Sequence, residues 1–165
     1  MIGTLDIHQA IVRLWNANEL TNKFWAYWTN AEKSGRHRVL NSEEARPKNP
    51  RPFCVFETTD LTTTERASPK TFETAGREIR SLDLTFNIHA ADKNGVAAKQ
   101  IAGNLAEEIM KIFGGHPTVS PECIAPTNCD LLRQRLEQDT SVRMGEQEYQ
   151  HVLRYFIQVD CPVAV

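Results

Sequence analysis

Ser81-Leu82-Asp83-Leu84-Thr85-Phe86-Asn87-Ile88-His89-Ala90 is the stretch on which the fold turns. Leu82, Leu84, Phe86, Ile88 and Ala90 alternate with polar neighbours, the period of a strand with one apolar and one wet face. Directly after it, Asp92-Lys93-Asn94-Gly95 reads as a turn in which Asp92 or Asn94 can cap a helix. The period then changes. Ala98, Ile101, Ala102, Leu105, Ile109 and Ile112 recur at helical spacing, while Lys99, Asn104, Glu107, Glu108 and Lys111 take the opposite side. Gly114-Gly115 supplies the helix stop. A strand that runs straight into an amphipathic helix predicts a sheet with that helix laid against it.

Upstream, Ile7, Ala10, Ile11, Leu14 and Trp15 form one helical stripe. Asn16 to Asn18 interrupt it, and Leu20, Phe24, Tyr27, Trp28 and Ala31 resume it, as two helices or one bent helix. Ser34 to Pro52 is polar, basic and proline-bearing, a loop or arm. It empties into Phe53-Cys54-Val55-Phe56, a short apolar run suited to a strand buried on both faces. Thr58 to Ala75 has little to bury and reads as a long connection. Downstream, Pro117, Pro121 and Pro126 mark a loop, Leu131 to Gln138 a strand that Val142 to Met144 either extend or lead into the turn, and Gly145-Glu146-Gln147 a turn. The last strand, Glu148 to Cys161, carries Tyr149, His151, Leu153, Tyr155, Ile157, Val159 and Cys161 on one face.

The expected architecture is therefore α+β: a four-stranded, mainly antiparallel sheet with helices on one face, in the order α(α)-β-β-α-β-β. Residues 1–165 make one domain with extended loops near 34–52 and 58–75.

Composition excludes several classes. Lys and Arg number 19 against 21 Asp and Glu, a net charge of -2, which lacks the basic excess of a dedicated nucleic-acid-binding domain. With 41% hydrophobic residues the chain can bury a core and is not of the disordered class. The N-terminal residues do not read as a secretory signal, and no apolar run is long enough for a membrane span. Cys54, Cys123, Cys129 and Cys161 are scattered; the nearest two, six positions apart, lack zinc-finger spacing. They are expected to be reduced packing residues in a cytoplasmic setting, and neither metal nor cofactor is expected.

Two features invite functional readings. Cys54 and His89 fall on strands expected to be neighbours, which makes a small cytoplasmic thiol enzyme the alternative of greatest chemical content. No orienting group or thiolate-stabilising context accompanies them, and no catalytic residue is assigned. Arg36, Arg38, Arg46, Lys48 and Arg51 crowd into a basic arm. Such an arm can touch phosphates, as a nucleic-acid-binding module built on residues 36–51 would, or pair with an acidic surface of another subunit. The arm lacks the stacking aromatics of a single-strand binder, so subunit or partner contact is preferred and no specific nucleic-acid binding is expected. Trp25, off the buried helical stripe, joins it as a candidate interface anchor.

A polar loop thus enters a proline-led strand, Arg51-Pro52-Phe53-Cys54-Val55-Phe56, and a long strand ends Phe86-Asn87-Ile88-His89-Ala90. An alanine-rich helix begins Ala97-Ala98-Lys99-Gln100-Ile101-Ala102-Gly103-Asn104-Leu105, and a closing strand pair carries Arg133 and Gln134 against Tyr155, Ile157 and Val159. From Asp6 to Val159 this layout resembles the tail-terminator, tail-completion and minor tail proteins of long-tailed bacteriophages and prophages. The resemblance implies a non-enzymatic assembly protein of the virion, assembled in the host cytoplasm. Such a protein forms a homo-oligomeric ring, typically six-fold, that caps the tail tube and meets the head-completion protein. The Thr58–Ala75 excursion and the arm before it depart from the pattern and leave terminator and head-to-tail connector both open. In such a ring the arm would reach acids of the next subunit, among them Glu73, Glu78, Glu107 and Glu108.

Overall fold

Phe86, at the centre of the alternating strand, is also the centre of the core. In the computed structural model, which describes residues 4–42, 49–68 and 76–162, its ring meets Trp15 at 6.0 Å, Phe113 at 4.8 Å and Tyr155 at 6.0 Å. These rings come from two helices and a neighbouring strand, so the helices α1 (Thr4–Ala17) and α4 (Ala98–Phe113) cover the same face of the sheet. The N-terminal stripe is buried as its spacing requires: Ile7, Ala10, Ile11 and Trp15 are all inaccessible, with Leu14 packed at the margin. Glu19 adopts a left-handed conformation (φ 52°) that breaks the helix after Ala17. The chain resumes as α2 (Leu20–Trp25) and, after a Thr29–Glu32 capping box, α3 (Asn30–Ser34). Where two helices or one bent helix were expected, the chain from Thr4 to Ser34 forms three.

The strands are β1 (Leu40–Asn41), β2 (Phe53–Thr58), β3 (Thr62–Ser68), β4 (Arg77–Ala91), β5 (Asp130–Gly145) and β6 (Glu148–Pro162). They form one sheet in the order β1-β2-β4-β6-β5, with β3 also paired to β4. The expected four-stranded sheet and the order α(α)-β-β-α-β-β are thereby overturned: six strands take part and the sheet is mixed. Two local causes account for the difference. Leu40 and Asn41 pair in parallel with Cys54 and Val55, a two-residue strand too short to leave a period in the sequence. The polar run Thr62–Ser68 continues β2 along the same edge of β4, with Thr62 opposite Ser81 and Ser68 opposite Arg77. Thr59 bridges the break, its amide donating to Asp83 O at 3.0 Å and its hydroxyl accepting from Asp83 N at 2.8 Å. Much of the presumed Thr58–Ala75 connection is therefore strand; residues 69–75 lie outside the described residues.

β4 and β6 pair over their whole lengths, from Arg77 opposite Pro162 to Ala91 opposite Glu148. Leu82, Leu84, Phe86, Ile88 and Ala90 join Leu153, Tyr155, Ile157, Val159 and Cys161 beneath the helices. In β2, Phe53, Cys54, Val55 and Phe56 are all buried, as a two-sided strand demands. The polar atoms of the core aromatics are matched: Tyr155 OH donates to Gly114 O at 2.8 Å, Trp28 Nε1 to Pro52 O at 2.8 Å, and Trp15 Nε1 to Thr21 Oγ1 at 2.9 Å. Asp92 accepts the Ala98 amide at 2.7 Å and so holds the first turn of α4.

One cysteine expectation fails. Cys129 and Cys161 form a disulfide with Cα atoms 4.5 Å apart. Asp130 pairs with Asp160 at the open end of the β5–β6 hairpin, so the residues flanking that pair meet although 32 positions separate them in the chain. Cys54 and Cys123 are free.

Candidate functional site

A groove of about 700 Å³ opens where α1, α2 and β1 converge. From α1 it takes His8, Gln9, Val12, Arg13 and Asn16, the side of the helix that turns away from the Ile7–Trp15 stripe. Thr21 and Trp25 of α2 form a second wall, and residues from His37 to Leu40, with Ser42 and Phe56, close the floor and far side. Trp25 keeps 37% of its surface exposed, whereas Trp15, Phe24 and Trp28 are buried. A tryptophan held half out of a core at a concave site is the residue type that anchors protein interfaces.

The groove is positive. Arg13 and Arg38 line it beside His8 and His37, and none of the described residues lining it is acidic. Arg13 spends one amino group on Ala125 O at 3.0 Å, while the Arg38 side chain makes no hydrogen bond or ion pair with another described residue. His8 donates to or accepts from Thr58 Oγ1 and packs edge-on against Phe56. Burial pulls its pKa below the ordinary value, which keeps the ring neutral at physiological pH.

Of the six candidate interface residues, Trp25 and Arg38 meet in this groove. Arg36 is exposed near it and does not line it. Arg46 and Lys48 lie outside the described residues. Arg51 is tied down within the chain: its guanidinium donates to Glu148 at the start of β6, and its carbonyl accepts from Lys93 Nζ at 2.9 Å. Several of the acids expected to receive the arm are likewise engaged at home. Glu107 meets His116 at 3.2 Å, Glu108 meets Lys111 at 3.3 Å, and Glu78 meets Arg80 at 3.3 Å; Glu73 lies outside the described residues. His8, Gln9, Arg13 and Asn16 escaped the sequence reading, although their spacing traces a polar stripe along α1.

The thiol-enzyme alternative loses its geometry. Cys54 lies opposite Ile88 on the helix-covered face and is fully buried. His89 is one residue on, hence on the other face, where its ring stacks on Phe53 at 4.8 Å. Burial also pushes the Cys54 thiol far above its ordinary pKa, the opposite of what a nucleophile requires. Among the described residues no cluster of three or more His, Cys, Asp or Glu is placed to hold a metal, and no helix is long and apolar enough to cross a membrane.

No protein-family model matches the chain, and no curated protein matches it. Among solved structures, it is similar to a chain of one titled "Virion of native gene transfer agent (GTA) particle". The two are 12% identical with a TM-score of 0.43, over 86% of this chain and 91% of that one. At that distance the likeness assigns no role.

Proposed function

We propose that this chain is a non-enzymatic structural protein of a phage-type virion, a homo-oligomeric ring that caps the tail tube and joins it to the head. The observation that carries this reading is the groove between α1, α2 and β1: concave, positively lined, and holding a half-exposed tryptophan. Such a surface is built to receive another protein segment. The layout from Asp6 to Val159 that resembles tail-terminator and tail-completion proteins supplies the direction. Terminator and connector roles share the requirement for two docking faces, one toward tail tube and one toward head.

A second reading uses the same groove for nucleic acid, since Arg13, Arg38 and Trp25 offer phosphate contacts and a stacking ring. Electron microscopy of purified tail tubes incubated with the protein separates them. The ring reading expects annular density at tube ends, abolished by Trp25→Ala. Bare tube ends, with tight salt-sensitive retention of single-stranded oligonucleotides, would favour the second reading instead.

A further inference from the structure

Sheet order places β1, beside the groove, and β5, the first strand of the β5–β6 hairpin, at opposite edges of the sheet. β1 is one terminus of the path β1-β2-β4-β6-β5 and β5 is the other. At about 4.8 Å per strand step, four steps separate the two edges by roughly 19 Å. Large apolar side chains with more than a third of their surface exposed concentrate on these two edges. Leu132, Val142 and Met144 stand on β5, at 49%, 45% and 56% exposed, and Trp25 stands in the groove. Among the described residues the remaining two are Leu5, on the first turn of α1, and Val119, in the loop after α4.

β5 is ill suited to adding a further strand from a second molecule. Its register with β6 slips between Leu131 and Arg133, between Leu136 and Gln138, and between Arg143 and Gly145. Irregularities of this kind blunt an edge against backbone pairing. The last of them holds Met144, so the turn presents side chains rather than a regular ladder. Glu146 sits at its apex and makes no ion pair with a described residue. The segment 142–147 thus offers exposed Val142 and Met144 and the Glu146 carboxylate, its one cation, Arg143, being turned back onto Gly145 O at 3.1 Å; the groove is concave, walled by Trp25 and lined by Arg13 and Arg38.

We propose that residues 142–147 of one copy seat in the α1–α2–β1 groove of the next, Met144 against Trp25 and Glu146 between Arg13 and Arg38. A flexible thioether packs well on an aromatic ring, and a carboxylate between two guanidiniums is a strong hydrogen-bond acceptor. Because donor and receiver surfaces are different parts of the chain, the contact is head-to-tail, the kind that closes into a ring when the rotation per copy allows. This inference rests on the ring reading and specifies its subunit contact.

Cross-linking tests it on the full chain with Cys123→Ser, which removes the accessible free thiol while leaving buried Cys54 and the native disulfide in place. Gln9→Cys in the groove and Gln147→Cys in the turn, both exposed positions that leave Trp25 and Met144 in place, are made in separate proteins, which are oxidised gently, alone and mixed. The contact predicts a covalent dimer in the mixture and little in either protein alone. A mixture no richer in dimer than its components, while the wild type still self-associates, overturns this contact and leaves the ring reading standing. A wild type that stays monomeric at every concentration, with no cross-link, overturns both. Charge reversal provides the second arm. Arg38→Glu and Glu146→Arg should each weaken self-association about tenfold, since repulsion replaces attraction, and the double variant should recover most of the loss. Single variants that associate like the wild type would contradict the proposal.

Discussion

His8 and His89 flank β2 on its two faces and share one electrostatic consequence. His8 packs against Phe56 on the helix side, and His89 stacks on Phe53 on the other. Burial lowers both pKa values from the ordinary 6.5; at His89 the Arg51 charge adds to the effect and Glu148 partly offsets it. In the unfolded chain both rings take up protons as the pH falls through 6.5, while in the folded chain they resist. Folding then releases protons, so stability is fully present above that pH and is lost as the pH falls toward the lowered values. Urea midpoints measured between pH 7.5 and 5.5 should decline, and His8→Phe should flatten the decline. A midpoint that is constant or rises on acidification would contradict this. Trp25 was legible at this scale because its phase sets it off the buried stripe. Arg38 stood out with the basic arm, but its meeting with Trp25 was not legible, since residues 37–40 reach the groove only through the path of the chain after α3.

At the scale of elements, the β5–β6 hairpin is clamped at its open end by Cys129–Cys161. A cross-link closing a loop of that length restricts the unfolded chain enough to stabilise by about 2–4 kcal/mol. Cys129→Ser should lower the unfolding free energy by that order in non-reducing buffer and leave no further response to reductant. Equal stability of variant and wild type under oxidising conditions would show that the clamp contributes nothing. This pairing could not be read from spacing, because strand register and not sequence distance brings the two residues together. The same reason hid β1 and β3. Leu40–Asn41 is too short for a period, and Thr62–Ser68 lacks apolar alternation; each is a strand only because an edge of β2 or β4 is there to receive it. By contrast β4, α4 and β6 were plain in the sequence, since each buries a full face against the others and the period records it.

At the scale of the whole molecule, one helix-covered sheet presents a positive groove beside β1 at one edge and exposed Leu132, Val142 and Met144 on β5 at the other. A net charge of -2 gives little long-range repulsion between copies. Individual exposed ion pairs contribute only about 0–1 kcal/mol, so assembly should depend on concentration and weaken with salt. Sedimentation velocity of the purified full chain, across a hundredfold range of concentration at low and high salt, tests the central claim most directly. The predicted result is a monomer at high dilution that gives way to a discrete ring-sized species at high concentration and low salt, with salt shifting the balance back. A single monomeric species under every condition, in a protein that also leaves tail-tube ends bare, would contradict it.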